Sequence, residues 1–153
     1  MMRTFIALPV IALLAALLRP VAVPPVVLAG MFYVQESGEN GPPGARPTSV
    51  VPLRVGQCYG WTLQVEPANL TVTIREVFDL PARGNWNTAG QASTVSRNAR
   101  TAVTQFEAPL GRGVITHGWC VVEGDPPGPH RIRVYHGDRL LREFHFTVVA
   151  QTR

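Results

Sequence analysis

Lysine is absent from the 153-residue sequence, so its fourteen basic side chains are all arginines. They are scattered along the chain, and ten acidic residues leave a net charge of only +4. Removing residues 1–29 would take away Arg3 and Arg19 and leave twelve arginines against ten acidic residues, a net charge of +2. A protein that binds nucleic acid normally carries a basic stripe or patch, so we expect no nucleic-acid partner.

Serine is also scarce, and none of its positions suggests a nucleophile. Ser37, Ser49, Ser93 and Ser96 all lie in predicted loops or weak strands. No G-x-S-x-G turn precedes a helix, and no C-x-x-C pair is present. Because no catalytic constellation can be assembled, we expect no enzyme and no cofactor, and a small hydrolase is the least favoured interpretation.

Three glutamates could in principle pair as catalytic carboxylates. Glu66, Glu76 and Glu107 lie in or beside predicted strands, where two of them could share a cleft. Glutamate is among the side chains most rarely buried in proteins, so we expect all three at the surface.

No apolar run is long enough for a typical transmembrane helix. The longest, Phe5–Leu18, is shorter than the roughly 20 residues of a span and follows the single cation Arg3, as in a secretory signal. Val27 and Ala29 supply small residues at the −3 and −1 positions of a cleavage site. We therefore predict that residues 1–29 are a signal peptide, whose removal leaves a periplasmic or secreted protein without a stable membrane span.

An uncleaved anchor is the alternative, because the apolar character resumes after Arg19 and continues to Val34. Pro20, Pro24 and Pro25 interrupt that stretch, and a helix tolerates interior proline poorly. Both interpretations put the rest of the chain outside the cytoplasm.

The two cysteines are predicted to form one disulfide in that oxidising compartment, and two buried thiols are the alternative. Cys58 lies on the strand face opposite Trp61, and Cys120 lies on the face opposite Trp119. If the tryptophan faces form the core, both sulfurs point outward. The bridge would then join neighbouring strands of one sheet.

Apolar residues beyond position 48 alternate with a period of two, which is typical of half-buried strands. Strands 59–65 and 70–78 are separated by the short link EPAN and are predicted to form a hairpin. Seven or eight short strands with turns between them indicate an all-β antiparallel sandwich. Further strands are expected near 94–96, 100–106, 113–123 and 128–149. We divide the chain into three parts: the signal peptide, an N-terminal strand with a turn-rich linker at 30–48, and the sandwich at 49–153.

The last two strands are predicted to pair with Ile132 opposite Phe144 inside the protein and Arg133 opposite Glu143 outside it. A three-residue turn, 137–139, gives this register, because a slip by one residue would turn every side chain to the other face. Leu140 and Arg142 would then point inward near the tip of the hairpin.

Histidines supply an alternative function, a small metal- or ligand-binding protein. His130 and His136 share one strand face, and His117 could join them from another strand, whereas His145 points away. A zinc or copper site needs three or four ligands that converge, and the pattern does not bring these three together.

Trp86 is the best candidate for a binding residue, together with Asn85 and Asn87 on either side of it. A tryptophan in a glycine- and asparagine-rich loop is easily exposed, and aromatic side chains anchor partners and ligands. The alternative is that Trp86 folds back and closes one end of the sandwich.

The C-terminal sequence GPHRIRVYHGDRLLREFHFTV, residues 128–148, resembles the closing strands of bacterial secreted immunoglobulin-like domains. These share a glycine turn, an alternating strand ending in V-Y, a G-D turn and an F-x-F-x-V ending. The resemblance implies an immunoglobulin-like sandwich and carries over no functional residue. We therefore expect a non-catalytic binding or accessory module for an unknown protein or cell-envelope partner.

Overall fold

The computed structural model describes residues 24–36, 44–68, 71–87 and 92–150. Nothing in these ranges forms a helix of the length and apolarity that crossing a membrane requires. The regular structure of these ranges consists of ten β-strands: β1 (Val26–Glu36), β2 (Gly44–Pro47), β3 (Val50–Leu53), β4 (Cys58–Glu66), β5 (Thr71–Asp79), β6 (Ser93–Val95), β7 (Thr101–Pro109), β8 (Val114–Cys120), β9 (Gly128–His136) and β10 (Arg139–Ala150).

The strands form two sheets packed as a sandwich, which confirms the predicted fold class. The four-stranded sheet has the order β2-β1-β4-β8, and the six-stranded sheet has the order β3-β10-β9-β5-β7-β6. Strand pairs are antiparallel except at β3, which joins β10 in parallel. The sequence predicted too few strands because β2 and β3 have four residues each, too few for alternation to be visible.

The predicted hairpin of β4 and β5 is wrong, because these consecutive strands lie in different sheets. β4 pairs with β1 and β8, whereas β5 pairs with β7 and β9. Their apolar faces meet across the interior instead of lying side by side, and Trp61 and Ile74 are both fully buried.

The core contains an aromatic cluster that includes the N-terminal strand. Phe32 of β1 stacks on Phe146 of β10, with ring centroids 4.4 Å apart. The core therefore begins before the expected domain boundary at residue 49, and part of the predicted linker forms β2. β1 also starts at Val26, so cleavage after Ala29 would remove the pairing of Val26 with Glu66.

The hairpin of β9 and β10 has the predicted register but a different turn. Ile132 pairs with Phe144, as expected. Gly137 and Asp138 alone form the turn, and the extra residue is taken up by a register shift between Leu140 and Arg142. This bulge turns Leu140 outward, where it is 47% exposed, contrary to the prediction. Arg142 pairs with the buried Val134 and therefore faces inward as predicted, although its side chain is exposed to solvent near the hairpin tip.

Arg133 lies opposite Glu143 as predicted, but its ion pair is with a different strand. Its guanidinium contacts Asp79 of β5, with an N–O distance of 2.8 Å. Burial opposes ionisation of Asp79, but hydrogen bonds from Thr101, Arg131 and Arg133 outweigh that effect and lower its pKa. A third strand therefore decides the partner of Arg133.

The disulfide joins Cys58 and Cys120, which lie directly opposite each other on β4 and β8. This confirms the predicted bridge between neighbouring strands of one sheet. Trp61 and Trp119 are buried on the inner face of the same strands. The bridge thus differs from that of antibody domains, which crosses the core between the two sheets.

We expect the double substitution Cys58→Ser/Cys120→Ser to lower the free energy of unfolding by about 4 kcal/mol, because the bridge closes a long loop in the unfolded chain. The two cysteines are 62 residues apart in sequence. Urea unfolding measures the change. The matched control is Thr62→Ser/Thr116→Ser, an outward pair on the same two strands. Equal stability of the cysteine-free variant and the native protein would contradict the prediction.

Candidate functional site

A cavity of about 250 Å³ lies at the end of the sandwich where β5 and β8 end and β4 begins. Its walls come from three parts of the chain: the start of β4, the end of β5 with the loop after it, and the end of β8 with the turn after it. The lining residues are aromatic (Tyr59, Phe78, Trp86, Trp119), polar (Asn85, Asn87, Asp125) or small and aliphatic (Leu80, Gly118, Val122), together with the disulfide-bonded Cys120.

Trp86 folds back onto the core and also forms one wall of the cavity. Its ring is perpendicular to those of Phe78 and Trp119, at centroid distances of 5.4 and 5.8 Å. Its indole N–H donates to the carbonyl oxygen of Ala99 at 2.9 Å. The side chain remains half-buried, so closing the sandwich end does not remove it from the cavity surface.

Asn85 and Asn87 are exposed on either side of Trp86 and line the cavity. The Asn85 side-chain amide donates to the carbonyl oxygen of Glu123 at 2.6 Å and so ties the two loops together. Gly124 follows with a φ of +88°, and a Cβ there would lie 2.6 Å from the Asn85 side-chain nitrogen. The loop connection therefore requires glycine at this position.

Asp125 adds the one charged side chain among the described lining residues. One carboxylate oxygen accepts the backbone N–H of Val122 at 3.0 Å, which fixes the side chain across its turn. Burial raises the pKa of Asp125. The sequence showed only a proline-rich turn here, and nothing local indicated that this acid would face aromatic rings.

Tyr59 lies beneath the cavity and is only 4% exposed. Among the described residues, none forms a hydrogen bond with its hydroxyl. Burial raises the pKa of this phenol, and the nearby carboxylates of Asp125 and Glu76 raise it further. The alternation of β4 predicted an inward Tyr59, but not that its polar end would meet a cavity.

Glu76 is fully buried, so its expected position at the surface is wrong. The indole N–H groups of Trp61 and Trp119 both donate to its carboxylate, the second at 2.7 Å. The His117 ring nitrogen Nδ1 lies 3.1 Å from the same carboxylate. Glu76 lies two residues after Ile74 in β5, so the alternation of the strand places both side chains inward. The predicted surface position of Glu76 followed the general rarity of buried glutamates instead of this alternation.

The three candidate metal-ligating histidines do not converge. His117 contacts Glu76 and stacks on Phe106, with centroids 4.8 Å apart. His130 and His136 are six residues apart on one strand, a separation of roughly 20 Å, and their ring nitrogens contact backbone carbonyls. Over the ranges described, no three histidine, cysteine or acidic side chains form a metal-ligating group, so the structure does not support the metal-binding alternative.

A protein-family model shows the family to which this chain belongs. The model of the PM0630 beta sandwich domain family matches residues 31–149, which is most of the chain. The chain belongs to this family. The match starts within β1 and ends within β10, so the family unit spans both sheets. None of the curated proteins matches the chain.

A solved structure supports the immunoglobulin-like fold of this family member. An immunoglobulin-like protein from Pseudomonas aeruginosa superposes with a TM-score of 0.57 at 21% identity, over 83% of this chain and 98% of that protein. The bacterial hydrophobin BslA matches with a TM-score of 0.40 at 15% identity, over 83% of this chain and 98% of BslA. The first likeness shows the fold alone, and the second is too weak to support any inference.

We expect Glu76→Gln to destabilise the protein by about 2 kcal/mol or more, because the amide oxygen can accept one of the two buried indole N–H groups but the amide nitrogen cannot accept the other. Glu66→Gln is the matched control, since Glu66 is exposed at the end of β4 and should change stability by less than about 0.5 kcal/mol. Urea unfolding of both variants makes the comparison. Equal effects would show that the buried carboxylate does not hold the core.

His130 gives the protein a predicted dependence on pH. Burial lowers its pKa from 6.5, outweighing the opposite effect of its hydrogen bond to Gly128. As pH falls below that value, the unfolded chain takes up a proton that the folded protein resists, so stability present near neutral pH is lost in acid.

The melting temperature of His130→Phe, followed from about pH 7.5 to about pH 5, should therefore fall less steeply than that of the native protein. Thr147→Ser should keep the native slope, because Thr147 is exposed on β10 and has no ionisable side chain. If the melting temperatures of all three proteins changed equally with pH, His130 would not be the cause of the loss of stability in acid.

Proposed function

We propose that this protein is a non-catalytic binding or accessory module that acts outside the cytoplasm, with the cavity at the sandwich end as its binding site. The observation that carries the proposal is the position of Trp86, Asn85 and Asn87 around that cavity. Binding sites are usually concave and combine apolar walls with a few polar groups that orient the ligand, and this cavity joins four aromatic rings to three polar side chains.

A location outside the cytoplasm is supported by the disulfide between Cys58 and Cys120, since such bonds persist in oxidising compartments. The apolar N-terminal sequence adds the prediction of a signal peptide for export.

A binding role without catalysis is supported by the chemistry of the cavity. Neither histidine nor serine is among its described lining residues, and Cys120 is held in the disulfide. Asp125 accepts a backbone hydrogen bond within its own turn and has no described nucleophile beside it to activate. The partner we propose is a protein or another component of the cell envelope.

The test is affinity capture from a periplasmic extract of the native host, using the native protein and Asn87→Phe, which adds an aromatic ring at the mouth of the cavity. The control is Gln64→Phe, which adds the same ring to an exposed position on β4, about 20 Å along the strand from Cys58. We expect a component that the native protein and the control retain and Asn87→Phe loses. Equal retention by all three proteins would overturn the proposal.

A further inference from the structure

We propose that the cavity binds an organic cation, an alkylammonium group that lies against the rings of Trp86 and Trp119 and pairs with the carboxylate of Asp125. This inference rests on the proposed function, because it names the ligand chemistry of the same site. A cavity of about 250 Å³ suits a small group, since roughly 150 Å³ is enough for a benzene ring.

The charge of the cavity is opposite to that of the protein. The whole chain carries a net charge of +4, yet Asp125 is the charged side chain among the described lining residues and no arginine lines the cavity. A half-buried carboxylate is costly without a counter-charge, and a bound cation would supply one.

The aromatic walls favour the same ligand class. Tyr59, Phe78, Trp86 and Trp119 come from three segments of the chain and line one small space. Aromatic rings attract cations through their negative faces, and tryptophan does so most strongly. Rings alone would accept any apolar ligand, so the carboxylate beside them is what selects a positive charge.

The hydroxyl of Tyr59 is a polar group that a ligand in the cavity can reach. The residue is more than nine-tenths buried, and its hydroxyl forms no hydrogen bond with a described residue. The hydroxyl oxygen itself keeps accessible surface, because it is not among the described side-chain atoms that are both buried and without a hydrogen-bond partner. An ammonium N–H can donate to this oxygen and to Asp125 together, whereas an anionic ligand would meet the Asp125 carboxylate with no basic side chain among the described lining residues to offset it.

The direct test is an NMR titration with butylammonium and tetramethylammonium, each compared with 1-butanol as a neutral analogue and butyrate as an anionic one. We expect both ammonium ions to shift the indole N–H signals of Trp86 and Trp119 saturably. 1-Butanol should bind about tenfold more weakly, and butyrate should leave the signals in place. Equal binding of butanol or butyrate would overturn the inference.

Two variants test the carboxylate and the hydroxyl separately. Asp125→Asn keeps an oxygen for the Val122 N–H but removes the charge, so butylammonium affinity should fall about tenfold. Asp138→Asn removes the same charge from an exposed turn and should bind normally. Tyr59→Phe keeps the ring but removes the hydroxyl, so the affinity for butylammonium should fall more than the affinity for tetramethylammonium. This variant still tests the inference if Asp125→Asn does not fold. Unchanged affinity in both cavity variants would overturn the inference.

The source of the ammonium group is resolved by adding Nα-acetyl-lysine methylamide to the titration. Tighter binding of this compound than of butylammonium would support a lysine side chain of a partner protein, and the reverse order would support a free amine. If no ammonium compound binds while Asn87→Phe still loses its captured component, the cation inference fails and the proposed function stands. If ammonium ions bind but capture does not depend on the cavity, the proposed function fails instead.

Discussion

The buried carboxylate of Glu76 links the two sheets by hydrogen bonds. It projects inward from β5 and accepts hydrogen bonds from the indoles of Trp61 on β4 and Trp119 on β8. A buried acid is tolerated only where its hydrogen bonds are complete, so a shift of one sheet over the other would leave the acid or an indole unsatisfied. The apolar core favours many arrangements of the sheets, and this polar contact selects one of them.

The cavity depends on the same contact. Trp119 is held at its indole nitrogen by Glu76, and its ring in turn meets Trp86 edge to face. The disulfide lies one residue beyond Trp119 on β8, where it fixes the strand end that forms the cavity wall. Trp86 is anchored separately by its hydrogen bond to Ala99. The aromatic walls are thus positioned before any ligand arrives, which lowers the ordering cost of binding.

Alternation along single strands was sufficient to predict several long-range features. Opposite faces for Cys58 and Trp61 predicted a bridge within one sheet, and the apolar faces of the last two strands predicted the pairing of Ile132 with Phe144. Where a single residue breaks the pattern, prediction failed. The bulge beside Leu141 exposes Leu140. Nothing in the local sequence distinguishes a short turn followed by a bulge from a longer turn without one.

The sequence by itself determined which residues point inward wherever a strand runs without a bulge, because that period is a property of the extended backbone. Only the tertiary structure decided which strands lie side by side, since strands of similar pattern can pair in many ways. It separated β4 from β5, gave Arg133 the partner Asp79, and placed Asp125 among aromatic rings. Each of these depends on residues distant in the chain, and their contacts carry no local signature.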